Sequence, residues 1–158
     1  MNETKDFARL ISFYKEKGWT LSSAESMTAG AFGAALCSVP GASKVYLGGV
    51  ISYAPSVKEK LLGVPSSLIE EKGVVSPEVA LAMAKGARER LFSTYAVSVT
   101  GNAGPSAEPG EAPVGRVYLG FAGPTSSAFL ELNLKGERNE IRAQAVEAML
   151  QLLIQETL

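Results

Sequence analysis

Trp19-Thr20-Leu21-Ser22-Ser23-Ala24-Glu25-Ser26-Met27-Thr28-Ala29-Gly30 begins as a β-favouring segment. It leads into Ala31, Phe32, Ala34, Ala35 and Leu36, a run suited to a close-packed helix. The pattern predicts a strand over about 20–24 and a helix over about 27–38, with Ser26 at the junction. A hydroxyl at such a junction lies near the free N–H groups of a helix start, where developing negative charge is stabilised. A nucleophilic serine also needs a base, usually histidine, and this chain contains none. Any proton leaving Ser26 must therefore pass to a lysine, a tyrosine or a carboxylate. The plainer reading is that Ser26 or Thr28 caps the helix, as both residue types often do.

Working outward, Phe7, Leu10, Ile11 and Tyr14 recur at helical spacing, and Gly18 follows Lys15 and Lys17 as a stop. Pro40-Gly41 ends the second helix. Val45-Tyr46-Leu47-Gly48-Gly49-Val50-Ile51-Ser52-Tyr53 reads as a mostly buried strand despite its glycines. Pro55 opens a helix with Val57, Leu61 and Leu62 on its apolar side, closed by Gly63. A short helix after Pro65 ends at Gly73. Ser76-Pro77-Glu78-Val79 is a helix-start signature, and Met83, Ala87 and Leu91 continue the stripe from Val79. Tyr95-Ala96-Val97-Ser98-Val99 has the pattern of a central strand buried on both faces. It runs into Thr100-Gly101-Asn102-Ala103-Gly104-Pro105 and a polar loop over 106–113. Strands near 114–122 and 128–134, separated by Gly123-Pro124-Thr125-Ser126, form an expected antiparallel hairpin. A helix over 139–158 follows, with Ile141, Ala145, Ala148, Leu152 and Ile154 on or near its core face. The expected fold is a three-layer α/β/α sandwich around a mixed, mostly parallel sheet with a late antiparallel hairpin, forming a single domain over 1–158.

Composition narrows the function. A chain of 158 residues, 46% apolar and 20% charged, is long enough for a sizeable core. Its net charge of −1 and scattered Lys and Arg favour neither nucleic acid nor a membrane surface as partner. Cys37 is the single cysteine and has no internal partner, which fits a reducing cytoplasm. The polar first residues do not read as a signal peptide, and no apolar run approaches membrane-spanning length. The absence of histidine beside a single cysteine argues against a zinc site, and no metal is expected.

The chemistry-bearing segments share one position. Residues 25–30, 53–58 and 100–104 each lie just after a strand. In open α/β sheets the crevice beyond the carboxyl ends of the strands is where ligands bind. If these strands are parallel neighbours, Ser26, Tyr53, Lys58 and the glycine loop meet at one edge. That assembles a nucleophile, a phenol, an amine and backbone donors at Met27 and Thr28 able to hold an oxyanion. A lysine becomes a general base when burial or a nearby positive charge lowers its pKa, and a tyrosine can hold it in line. Each residue also has an ordinary reading: Tyr53 as a strand-end aromatic, Lys58 as a solvated helix lysine, and Thr100-Gly101-Asn102-Ala103-Gly104 as a turn. Arg138 and Arg142, one turn apart on the last helix, can clamp a phosphate or carboxylate, or simply meet Glu137 or solvent.

Several motifs in order carry a resemblance over nearly the whole chain. They are Ala24-Glu25-Ser26-Met27-Thr28-Ala29-Gly30, Ile51-Ser52-Tyr53-Ala54-Pro55-Ser56-Val57-Lys58 and Leu62-Gly63-Val64, then Gly73-Val74-Val75-Ser76, Val99-Thr100-Gly101-Asn102-Ala103-Gly104-Pro105, Pro113-Val114-Gly115 and Gly136-Glu137-Arg138. The sequence resembles the CinA C-terminal domain family, whose stand-alone members include nicotinamide-nucleotide amidohydrolases. The resemblance implies hydrolysis of the carboxamide of nicotinamide mononucleotide to nicotinate mononucleotide and ammonia, with no cofactor. It places the family's catalytic serine, tyrosine and lysine on Ser26, Tyr53 and Lys58. Substrate contacts are then expected from Glu25, Met27, Thr28, Ala29, Gly30, Thr100, Gly101, Asn102, Ala103, Gly104, Arg138 and Arg142, with the glycine loop and Arg138 holding the phosphate. A small-molecule nucleotide and a homo-oligomer are the expected partners.

The chain departs from the family pattern at Ala29, where a glycine is usual, and at Asn102, where an aliphatic residue is common. A methyl at Ala29 matters only if that backbone has positive φ or touches substrate. The larger N-terminal domain of full-length members has no counterpart in this sequence, so the pyrophosphatase activity associated with it is not expected. A non-catalytic nucleotide-binding or interaction module, and an amidase for another amide, are the alternative functions.

Overall fold

The structure, a computed structural model, describes residues 2–158. Helix α1 (Glu3–Lys17) starts where the Asn2 side chain accepts from the Lys5 amide, and ends at Gly18 with φ 72°. Its Phe7, Leu10, Ile11 and Tyr14 are buried as their spacing predicts. Strand β1 (Leu21–Glu25) is buried throughout and is followed, after a tight turn, by α2 (Ala31–Cys37). Strand β2 (Tyr46–Ile51) leads to α3 (Pro55–Leu62) and α4 (Ser66–Lys72). Helix α5 (Pro77–Leu91) opens as its sequence signature predicts, the Ser76 hydroxyl accepting from the Val79 amide at 3.2 Å. Strands β3 (Tyr95–Gly101), β4 (Arg116–Ala122) and β5 (Ser127–Asn133) precede the terminal α6 (Arg138–Thr157), which opens on a reciprocal capping box between Glu137 and Glu140.

The strands form one sheet in the order β2-β1-β3-β4-β5. Strands β2, β1 and β3 are mutually parallel, whereas β3–β4 and β4–β5 are antiparallel. Leu21, Val97, Val99, Val117, Leu119 and Phe121 pack with α1, α2 and α6. Ala24 and Ala96 pack on the other face with Leu62, Val79, Met83 and Ala87 of α3 and α5. That is the expected α/β/α sandwich. The α5 face of the sheet carries small residues because the helix lies close against it. The Ser98 hydroxyl donates to the Ala80 carbonyl, and a Cβ on Gly120 would fall 2.2 Å from that same oxygen.

Local expectations are corrected at two places. Helix α2 starts at Ala31 rather than near Met27, because Ala29 (φ 50°) and Gly30 (φ 97°) turn the chain in a left-handed conformation first. Strand β2 is not mostly buried: it is a sheet edge with alternating burial, and Leu47 and Ile51 are exposed. Being at an edge is a consequence of strand order, which a single segment's composition does not encode.

Because β1, β2 and β3 are parallel neighbours, their carboxyl ends at Glu25, Ile51 and Gly101 open on one edge of the sheet. The segments singled out in sequence meet there. No helix among the described residues is long and apolar enough to cross a membrane.

Candidate active site

A cavity of about 530 Å³ lies at this edge, within the range of small-molecule sites. Ser26 follows β1 directly. Its amide donates to the Val99 carbonyl at 3.1 Å, extending the β1–β3 ladder by one bond, while its own carbonyl accepts from the Ala29 amide at 3.1 Å. The side chain is therefore fixed at the mouth of a tight turn, 7% exposed and on the cavity wall. Ser26 stands before that turn, not at the N-terminus of α2.

Neither Ser26 nor Thr28 caps α2. The Glu25 carboxylate does so instead, accepting from the Phe32 amide at 2.9 Å, the Gly33 amide at 3.1 Å and the Thr28 hydroxyl at 2.6 Å. A buried carboxylate facing helix N–H groups is satisfied there by hydrogen bonds and by the helix dipole. Glu25 faces α2 and does not line the cavity.

Lys58 lies one turn into α3, which Pro55 starts. That turn folds the side chain back over the end of β2. Lys58 is fully buried, and its Nζ sits 2.7 Å from Ser26 Oγ. The same nitrogen donates to the Ser52 carbonyl at 2.6 Å and approaches the Tyr53 carbonyl at 3.4 Å. Ser52 is itself pinned to β1, its amide donating to the Glu25 carbonyl at 2.7 Å. Among the described residues, no carboxylate bonds the amine. Burial disfavours its charged form and lowers its pKa from 10.5 to about 8.

Tyr53 is placed differently from the expectation. Its phenol does not hold Lys58 or Ser26; it accepts from Arg138 at 3.1 Å, and only its backbone carbonyl faces the amine. Tyr53 is 58% exposed and lines the cavity. Arg138 also donates to the Gly104 carbonyl and so ties α6, the glycine loop and the segment after β2 together. Arg142 is not on the cavity. Its Nε donates to the Met27 carbonyl at 2.9 Å, one terminal nitrogen to the Thr28 carbonyl at 3.0 Å, and the other to Asn139. It braces the turn that carries Ser26. The Met27 and Thr28 amides donate to no described residue.

Of the glycine-loop residues, Thr100, Gly101, Asn102 and Ala103 line the cavity, whereas Gly104, Thr28, Ala29 and Gly30 do not. Thr100 donates to the Val74 carbonyl at 3.0 Å. The Asn102 side chain is absorbed by its own loop: it accepts from the Gly104 amide and donates to the carbonyls of Ala112 and Ser106. Sequence reasoning missed the part of the lining formed by Lys72, Val74, Val75, Arg116 and Tyr118. Gly73-Val74-Val75-Ser76 was visible as a motif, but nothing local to Arg116 marked it out. The Ser52 carbonyl was also missed, since a backbone acceptor has no residue-type signature.

With this geometry in place, the comparisons identify the class. The family model of the CinA C-terminal domain matches residues 4–157, and the chain belongs to that family. It is 43% identical over 149 residues to a CinA-like protein of Geotalea daltonii, covering 94% of this chain and 36% of that protein. It is 45% identical over 141 residues to one of Synechococcus sp. (strain RCC307), covering 88% and 34%. The chain thus spans about a third of the length of the curated relatives it matches. Among solved structures, the competence/damage inducible protein CihA from Agrobacterium tumefaciens superposes with a TM-score of 0.93 at 34% identity, covering 97% of this chain and 94% of that one. A CinA superfamily protein from Escherichia coli gives 0.94 at 27%, covering 98% and 90%.

Proposed function

We propose that this chain hydrolyses the carboxamide of nicotinamide mononucleotide to nicotinate mononucleotide and ammonia, with Ser26 as nucleophile and Lys58 as its base. The observation that carries this reading is the 2.7 Å contact between Ser26 Oγ and a fully buried Lys58 amine on a cavity wall. Burial lowers the amine's pKa and so brings the neutral, base-competent form within reach near pH 8. Its N–H groups have the Ser52 and Tyr53 carbonyls to donate to, which leaves the nitrogen lone pair for the serine proton.

In this mechanism Ser26 Oγ attacks the carboxamide carbon as its proton passes to Lys58. The free Met27 and Thr28 amides are the candidate donors to the resulting oxyanion. Collapse of the tetrahedral intermediate breaks the C–N bond, and the Lys58 proton leaves with ammonia. Water then attacks the ester on Ser26 and gives a proton to Lys58. The second collapse returns that proton to Ser26 and releases the carboxylic acid, which loses its own proton to solvent to become the carboxylate. Tyr53 and Arg138 frame the site as a pair, and Arg142 acts through the turn rather than on the substrate.

The test is to incubate purified protein with nicotinamide mononucleotide and measure ammonia and nicotinate mononucleotide, with free nicotinamide and the dinucleotide offered in competition. Equimolar release of both products supports the reading. Absence of turnover with the mononucleotide refutes it.

A further inference from the structure

The arginines expected to hold the phosphate have other work. Arg142 is off the cavity, bonded to the turn. Arg138 spends one terminal nitrogen on the Gly104 carbonyl and the other on the Tyr53 phenol. Among the described residues, the cavity's remaining cations besides Lys58 are Lys72, at the end of α4, and Arg116, at the start of β4.

Both side chains keep donors to spare, and Arg116 is also held in place. Arg116 is steered by Nε donating to Asn133 at 2.7 Å, by a 3.4 Å contact from one terminal nitrogen to the Tyr118 hydroxyl, and by Glu131 at 3.8 Å. Its other terminal nitrogen donates to no described residue. Lys72 has only a 3.9 Å approach to Glu71, and its side chain is 44% exposed. Glu111 also lines the cavity, with one carboxylate oxygen turned to the Glu108 amide at 2.7 Å.

The spacing suits a mononucleotide. Ser26 leaves the end of β1, and β4 lies two strands away across β3. At about 4.8 Å per strand the separation is about 10 Å, a distance of the order a pyridine mononucleotide spans from carboxamide to phosphate. Thr100 and Tyr118 are paired on the adjoining strands and both line the path between.

We infer that Lys72 and Arg116 form the anion subsite of this cavity, receiving the 5′-phosphate while the carboxamide sits at Ser26. The inference rests on the amidase reading for the identity of the substrate. It makes Lys72 and Arg116, rather than Arg138 or Arg142, the origin of any preference for nucleotide over nucleoside.

The experiment compares kcat/KM for nicotinamide mononucleotide and nicotinamide riboside in the parent, Lys72→Gln, Arg116→Gln and Arg138→Gln. A charge-assisted phosphate contact predicts that the nucleotide-to-nucleoside ratio falls by about tenfold for Lys72→Gln and for Arg116→Gln. Arg138→Gln lowers both substrates together and leaves that ratio near the parent value. Arg116→Lys, which keeps the charge, recovers part of the ratio if Arg116→Gln loosens the strand. An unchanged ratio in Lys72→Gln and Arg116→Gln, or a loss concentrated in Arg138→Gln, overturns the inference. If the parent turns over neither substrate, the amidase reading fails by itself. Calorimetric binding of nicotinate mononucleotide then decides the subsite: affinity weakened by both substitutions upholds it, and affinity unchanged by both overturns it.

Discussion

Replacing Lys58 by methionine should make the protein more stable at neutral pH while removing its proposed base, and the size of the effect should follow a defined pH curve. Methionine is close to lysine in length and leaves the buried site filled. The Lys58 amine titrates at about 8 in the folded chain against 10.5 ordinarily, because burial disfavours its charge. Below pH 8 the amine is protonated in both states, and keeping it so inside the fold costs about 3.5 kcal/mol, at about 1.4 kcal/mol per pH unit. Between pH 8 and 10.5 the unfolded chain binds a proton that the folded chain does not, so the parent's stability rises with pH. Above 10.5 both states are neutral and the cost is gone. The difference in unfolding free energy, parent minus Lys58→Met, should therefore climb by about 3.5 kcal/mol from pH 8 to 10.5 and be flat on either side. Lost hydrogen bonds to the Ser52 and Tyr53 carbonyls shift this difference by a constant. Tyr14 and Tyr46, whose hydroxyls burial holds above their ordinary range, titrate in both proteins and cancel. Urea denaturation of both proteins at pH 7–11 reads the curve. A difference that stays flat across the window, or that falls with rising pH, refutes the claim that Lys58 is destabilised by burial and poised as a base.

Other outcomes follow from the same geometry. The kcat/KM for ammonia release should rise with pH through an ionisation near the lowered Lys58 value of about 8; Lys58→Arg should stay inactive throughout, since guanidinium cannot take up the serine proton. Arg142→Gln should lower kcat by about tenfold or more with little change in KM, because Arg142 holds the Met27 and Thr28 carbonyls and not the substrate; a purely KM effect would return it to phosphate binding. Ala29→Gly should raise stability by roughly 0.5–1 kcal/mol in thermal or urea unfolding, since Ala29 holds φ 50° and relief of that strain exceeds the added chain entropy. A loss of stability there would mean the turn relies on the Ala29 methyl.

Much of the fold was legible because its signals are local. The Ser76 cap, the Gly18 stop and the helical spacing of Phe7, Leu10, Ile11 and Tyr14 each act within a few residues, and each is observed. Strand β2 was misjudged because exposure at a sheet edge depends on strand order, a property of the whole chain. The Ser26–Lys58 pair was legible through elimination: without histidine, a serine after a strand leaves few bases, and parallel topology brings Lys58 to it. What Tyr53 does was not legible. Residue type suggests a phenol in a proton relay, but its phenol turns to Arg138 and its carbonyl meets the amine. Arg142 shows the same limit, since its helical spacing from Arg138 says only that both can reach one side, not that one faces the cavity and the other braces a turn.

The claim on which the account turns is that Ser26 attacks the amide. Ammonia release from nicotinamide mononucleotide by Ser26→Ala, run beside the parent at a pH above the Lys58 value, tests it most directly. No release above the uncatalysed background is expected from a folded variant that still binds the nucleotide. Turnover at the parent's rate would contradict it and leave Lys58 activating water instead.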